Sequence, residues 1–128
     1  MTEPVWLGQE IILAVHDIQL VRHGGASGVR DRGLLDSALA RPLNLHAYGE
    51  ADLCALAAAY AGGILRNPPF VDGNKRTGFI VATLFPQENG LRLTAPESEA
   101  VVMTLGLAAG SLPEEGFAAW LRDRTEAL

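Results

Sequence analysis

Apolar residues recur at helical spacing along most of this chain. Ile11, Ile12, Val15 and Ile18 predict a first helix over Trp6–His23, closed by Gly24-Gly25 behind Arg22 and His23. Asp31 caps a short second helix in which Leu34, Leu35, Ala38 and Leu39 face inward, and Arg41-Pro42 ends it. Leu43–Gly49 reads as loop. The clearest pattern runs from Ala51 to Arg66, where Leu53, Leu56, Ala57, Tyr60, Ala61, Ile64 and Leu65 follow i, i+3, i+4, i+7. Alanine at its remaining positions predicts a helix enclosed from several sides. The next helix carries Phe79, Ile80, Val81, Leu84 and Phe85, and Pro86 is expected to end it early. Asn89-Gly90 is a turn, and Leu91–Leu93 is a short extended piece.

Thr94-Ala95-Pro96-Glu97 has the form of a capping box with an early proline, opening a helix with Val101, Thr104, Leu105 and Ala108 inward and Gly110 at its end. Ser111-Leu112-Pro113-Glu114 repeats the device, Phe117, Trp120 and Leu121 dock the last helix, and Thr125–Leu128 is expected to fray. The sum is an all-α chain, one domain over residues 1–128, built as a bundle of about six helices with almost no sheet.

Composition narrows the function classes. Hydrophobic residues make up 48% of the 128, enough for an ordered core. Net charge is −5 without a Lys/Arg stripe, which argues against DNA or RNA as partner. No apolar run reaches membrane-span length, and Met1-Thr2-Glu3-Pro4 lacks the basic flank of a signal peptide, so the expected location is cytoplasmic. Cys54 is the single cysteine, in the middle of an apolar helix, and reads as a core residue rather than a nucleophile. His16 and His23 stand seven apart with no third ligand at metal spacing, and both read as surface or satisfied core groups. The glycine-rich run His23–Arg30 is not a phosphate loop, because no strand precedes it and no Lys-Ser/Thr pair follows.

The chemistry concentrates in Arg66–Gly78, between the two most apolar helices. Pro68 and Pro69 remove two backbone donors, Asp72-Gly73 is turn chemistry, and a helix restarts near Asn74. Asp72, Asn74, Lys75 and Arg76 thus surround a helix N-terminus, whose free N–H groups and dipole favour an anion. Two basic side chains in that first turn have the wrong sign for the dipole, which a bound phosphate compensates. A carboxylate beside such an anion suits a bridging divalent metal. Without a ligand, the same residues describe an ordinary kinked connection between helices.

Pro69, Phe70, Asp72, Gly73, Asn74, Lys75 and Arg76 match the Doc form of the Fic/Doc family motif, H-P-F-x-D-G-N-K-R, and the chain resembles that family. The departure is Pro68, at the position of the family's catalytic histidine. A second stretch, Gly28–Pro42, is similar to the Doc-type pattern G-x-R-D-x-G-L-L-E-S-A-L-x-R-P. The resemblance implies a helical Fic fold that holds ATP and Mg2+. Asp72 would be the metal ligand, and Asn74, Lys75, Arg76 and the N–H groups from Gly73 onward would hold phosphates. Phe70 would anchor the nucleotide-binding loop, and His46 and Tyr48 would lie near the base.

Lys75 replaces the glycine of adenylyltransferase members, and Phe79 stands where those members carry a second arginine. Both features favour the branch that resembles kinases of translation elongation factor Tu, toxins that stop protein synthesis and are held by an antitoxin whose tail folds as a helix in a groove. Adenylyl transfer is the alternative. Lys75 and Arg76 would compensate charge during transfer, but Pro68 has no proton-accepting side chain. The chain is then an inactivated toxin, a pseudoenzyme that binds nucleotide, target or antitoxin, or an enzyme with another base, for which His46 is the candidate. The resemblance also implies a flap at His23–Arg30 that pairs with a target's backbone. Ser111–Gly116 fits a loose inhibitory pattern of Fic proteins, but a helix start explains the same residues.

Overall fold

The computed structural model describes residues 3–128, so Met1 and Thr2 of the N-terminal segment lie outside it. The described residues fold into six helices: α1 (Gln9–His23), α2 (Arg32–Ala47), α3 (Leu53–Arg66), α4 (Asn74–Glu88), α5 (Glu97–Ala109) and α6 (Glu114–Arg124). Two three-residue strands, β1 (Leu91–Leu93) and β2 (Thr125–Ala127), pair antiparallel with Arg92 opposite Glu126. The expected all-α bundle is therefore the observed one.

Helix α3 forms the axis. Every residue from Leu56 to Leu65 is buried, as its all-round apolar sequence requires. Its small residues let neighbours approach at backbone distance: a Cβ on Gly63 would stand 2.9 Å from the Ala38 Cα of α2. Asp52 caps the helix through Cys54 N at 3.0 Å, and Asp31 caps α2 through Leu34 N at 3.1 Å.

Several expected boundaries move. Helix α1 starts at Gln9 rather than Trp6. Tertiary bonds hold the chain extended before it, since Leu7 N and O both meet the Tyr60 hydroxyl (3.0 and 3.3 Å) and the Trp6 ring stacks on Phe85. Its buried face is Ile12, Val15, His16 and Gln19, while Ile11 and Ile18 are half exposed. The polar pair faces the α3–α4 connection, a contact that hydrophobic periodicity does not register.

Both prolines expected to end helices lie inside them. Pro42 sits within α2 and Pro86 within α4, each ring buried. Each removes one donor, but burial of the ring and of the turn that follows outweighs a single helical bond. The end of α4 is secured by Asn89, whose Nδ2 donates to Phe85 O at 2.9 Å and to Val5 O at 3.0 Å, while Oδ1 accepts from Val5 N at 2.7 Å.

Neither expected capping box forms. Pro96 and Pro113 occupy the N-cap positions of α5 and α6 without side-chain bonds. The Thr94 hydroxyl instead donates to Arg124 O at 2.8 Å, and the Ser111 hydroxyl to Gly106 O at 3.3 Å. Phe117, Trp120 and Leu121 dock α6 as expected.

The C-terminus does not fray. Thr94 N donates to Arg124 O at 2.6 Å, Leu128 N donates to Gly90 O at 2.9 Å, and Arg92 pairs with Glu126. Thr125 also covers Cys54, its hydroxyl 3.8 Å from Sγ, and burial pushes that thiol above its ordinary pKa. Deleting residues 125–128 is expected to cost on the order of 2 kcal/mol in urea denaturation, from the backbone bonds lost. The same deletion should make Cys54 react with a thiol reagent under native conditions, where the full chain resists.

Candidate functional site

The connection from α3 to α4 contains the chemistry, and its backbone is held almost entirely by distant residues. Beyond Arg66 the chain leaves helical geometry at Asn67 (φ −132°, ψ 74°), as a residue before proline must. The carbonyls of Pro68 and Pro69 are answered by the segment before α2. Arg30 N and Asp31 N donate to Pro69 O at 2.7 and 3.1 Å, and the Arg30 guanidinium donates to Pro68 O through Nη2 (2.5 Å) and Nε (3.2 Å). Val71 N donates to Gly28 O at 3.1 Å, and Val29 bridges Phe70 in antiparallel fashion. The glycine-rich run expected to pair with another chain thus uses Gly28 and Arg30 to pair with its own loop.

Phe70 is the buried anchor, 1% exposed. Its backbone is bracketed by the Asn74 side chain, whose Oδ1 accepts from Phe70 N and whose Nδ2 donates to Phe70 O, both at 3.0 Å. The Asn74 amide thus braces the loop with one of its two N–H groups and one of its two oxygen lone pairs. The Phe70 ring lies flat on His16, with centroids 3.8 Å apart and planes at 8°, so Phe70 supports the loop from beneath.

His16 is buried, and its Nε2 lies 2.7 Å from the carbonyl oxygen of Asp72. A carbonyl only accepts, so Nε2 carries the proton. The expected satisfied core histidine is found, but what satisfies it is the motif itself.

Asp72 leads into Gly73, whose left-handed conformation (φ 76°, ψ 14°) turns the chain into α4. Among the described residues no side chain caps α4, so the N–H groups of Asn74, Lys75 and Arg76 have no side-chain acceptor there. They stand at one end of an open cleft of about 1290 Å3. Arg66, Pro68, Asp72, Lys75 and Arg76 line the cleft here, with Gln19 and His23 of α1. Among the described residues, Arg66, Lys75 and Arg76 have no carboxylate within ion-pairing distance, whereas Arg41, Arg92, Arg122 and Arg124 are each paired. In a chain of net charge −5 this end of the cleft is cationic.

The rest of the cleft is mainly apolar, formed by Phe79 and Ile80 of α4 with Val101 and Leu105 of α5, and Glu97 at the start of α5 also lines it. Val101 and Leu105, expected in the core, are half exposed because they face this groove, and Ala100 and Leu107 are buried instead.

The His46 ring lies edge-on to Trp6 at 5.4 Å, and Tyr48 is 92% exposed; neither lines the cleft. Both follow from α2 running on through Pro42. Both side chains are thus placed apart from the motif residues that line the cleft. Glu115 is exposed at the start of α6 and does not line the cleft, while Glu114 pairs with Arg41 at 2.5 Å. Sequence reasoning missed His16, Gln19 and Arg30 as parts of the site. The available signal was two polar residues interrupting the Ile12–Val15 face of α1.

Residues 6–86 match the model of the Fic/DOC family. The chain is 32% identical over 117 residues to Protein kinase doc of Escherichia phage P1, covering 91% of this chain and 92% of that protein. It is 41% identical over 99 residues to Toxin Doc of Mycolicibacterium smegmatis, covering 74% of this chain and 71% of that protein.

Asn74→Ala removes both bonds to Phe70 and strands a partly buried N–H and C=O. It is expected to destabilise the fold by about 1–3 kcal/mol in urea denaturation. Hydrogen exchange should show the Phe70 amide losing protection ahead of the α3 amides.

Proposed function

The chain belongs to the Fic/DOC family, and from that premise we propose that it is a Doc-type toxin whose cleft binds ATP with Mg2+ for phosphate transfer to a protein hydroxyl. Its expected target is translation elongation factor Tu, its place of action the cytoplasm, and transfer is crippled by the proline at 68. One observation carries this reading: the uncapped N-terminus of α4, the unpaired Lys75 and Arg76, and the Asp72 carboxylate all line one cleft beside Pro68.

Phosphoryl transfer depends chiefly on alignment and on charge stabilisation where charge develops. The N–H groups of Asn74, Lys75 and Arg76 supply a rigid set of donors, and the two basic side chains add mobile positive charge. These cations sit where a helix dipole disfavours them, which a bound polyphosphate offsets. The donor set also fits a magnesium ion, which takes few protein ligands and completes its shell with water and phosphate oxygens. Asp72 is the carboxylate that would hold it, and the ion would supply neutralisation of phosphate charge.

The group lacking is a proton acceptor for the attacking hydroxyl. The proline ring has none, and the Pro68 carbonyl is occupied by the Arg30 guanidinium. That observation also favours a second reading, a pseudoenzyme that retains nucleotide and antitoxin binding without transfer. The apolar groove between α4 and α5 suits the amphipathic helix of an antitoxin tail under both readings. Lys75 and Phe79 favour phosphate transfer over adenylyl transfer.

Two experiments test this reading. Lys75→Ala and Arg76→Ala should each weaken ATP binding by about 1.5–3 kcal/mol in calorimetry, because each removes a charge-assisted contact. Wild-type affinity in both variants would place these side chains outside the phosphate site. Pro68→His should raise transfer to elongation factor Tu by roughly 10²–10⁴-fold and arrest growth on expression. Label from γ-labelled but not α-labelled ATP identifies phosphate transfer, and label from the α position identifies adenylyl transfer. A folded Pro68→His protein that binds ATP and transfers neither label supports the pseudoenzyme.

A further inference from the structure

Asp72 is engaged at all three of its acceptor oxygens, and two of the three partners come from outside the motif. Its carbonyl accepts the His16 Nε2 proton at 2.7 Å, Oδ1 accepts from Gly73 N at 2.9 Å, and Oδ2 accepts from Ala26 N at 3.4 Å. The His16 ring has little freedom, being 2% exposed and stacked flat on Phe70, with its Cδ2 and Nε2 3.6 Å from where a Cβ on Gly73 would stand. On the opposite side, Gly25 (φ +119°) passes so close that a Cβ there would lie 2.9 Å from Asp72 Oδ2.

From this geometry we infer that α1 and the Gly25-Ala26 turn form a clamp presetting the Asp72 carboxylate, with His16 as its positioning residue. The inference rests on the reading of Asp72 as the Mg2+ ligand. The bond from His16 fixes the peptide plane between Asp72 and Gly73. That plane sets both the direction of the Gly73 N–H that holds Oδ1 and the left-handed turn that starts α4. The carboxylate has about four lone-pair directions and spends two on backbone donors, one of them over a long contact. Oδ2 therefore keeps capacity for a cation on the cleft side, while its position is limited by Gly25. Such indirect partners orient a metal ligand without touching the metal, and losing one typically lowers metal affinity by about 10–100-fold.

The test measures ATP affinity of the full chain by calorimetry, with Mg2+ and with EDTA, in wild type, His16→Leu, His16→Gln and Gly25→Ala, each checked by thermal melting. Wild type should gain affinity with Mg2+. His16→Leu keeps an apolar group on Phe70 but loses the donor, and Gly25→Ala leaves His16 in place but displaces the carboxylate. Both should lose about 10–100-fold of the Mg2+-dependent gain while keeping their affinity in EDTA, which Lys75 and Arg76 supply. His16→Gln, whose Nε2–H reaches the same carbonyl, should restore the gain. Folded His16→Leu and Gly25→Ala proteins with the full wild-type gain would overturn the clamp. Equal losses with and without Mg2+ would also overturn it, reducing His16 to a packing residue.

Should His16→Leu fail to fold, Gly25→Ala decides together with nitrogen NMR of wild type. The His16 Nε2–H resonance should move on adding Mg2+ with ATP and not with ATP alone, and a resonance indifferent to Mg2+ overturns the proposal. Wild type that binds ATP with no Mg2+ gain would refute the Asp72 metal reading itself, before any variant is compared.

Discussion

Two adjacent prolines at the end of a buried helix present a hydrogen-bonding problem on which the rest of the structure depends. Neither Pro68 nor Pro69 donates, so the chain around them cannot close a helical or turn pattern on its own. Their carbonyls are satisfied by Arg30 and Asp31, the Phe70 backbone by the Asn74 amide, and the Asp72 carbonyl by His16. Each partner lies on a different element, so the loop is defined only when α1, the segment before α2, and α4 are all in place. Its rigidity is a property of the assembled bundle, and rigid donors are what an anion site needs.

The same arrangement accounts for the charge distribution. Four arginines are paired with carboxylates around the outside of the bundle, a role worth little individually in stability. Arg66, Lys75 and Arg76 have no such partners among the described residues and gather where α3 ends and α4 begins. Arg66 lies across the C-terminal end of α5, its Nη2 3.2 Å from where a Cβ on Gly110 would stand, and Gly110 itself needs its left-handed conformation (φ 82°). A helix C-terminus favours this cation. Arg66, Lys75 and Arg76 thus bring positive charge without a carboxylate partner to one end of the cleft, with a mainly apolar groove continuing from it.

Much was legible in local pattern. Six amphipathic or apolar segments were readable because helical spacing and caps such as Asp31 are properties of neighbouring residues. So was the motif stretch, since two prolines, an Asp-Gly turn and a basic helix start occur within a few positions. The identity of α3 as the enclosed axis followed from its alanines. The Pro68 departure was equally visible, because a side chain without a proton acceptor is known from its type alone.

Only tertiary structure decided where polar and terminal groups found partners. Thr94 and Ser111 had the form of caps but bonded elsewhere, because the last turns of α6 and α5 offered other acceptors. Residues 125–127 had no local reason to be ordered until β1 provided a strand edge. Pro42 and Pro86 were locally helix breakers, yet burial of their rings kept both helices running and carried His46 and Tyr48 away from the cleft. His16 read as an ordinary core histidine, and no local rule connects it with a carbonyl 56 positions away. Spacing along the chain determines which face of a helix is apolar; which donor meets which distant acceptor is determined by packing, because a hydrogen bond depends on distance and direction in space.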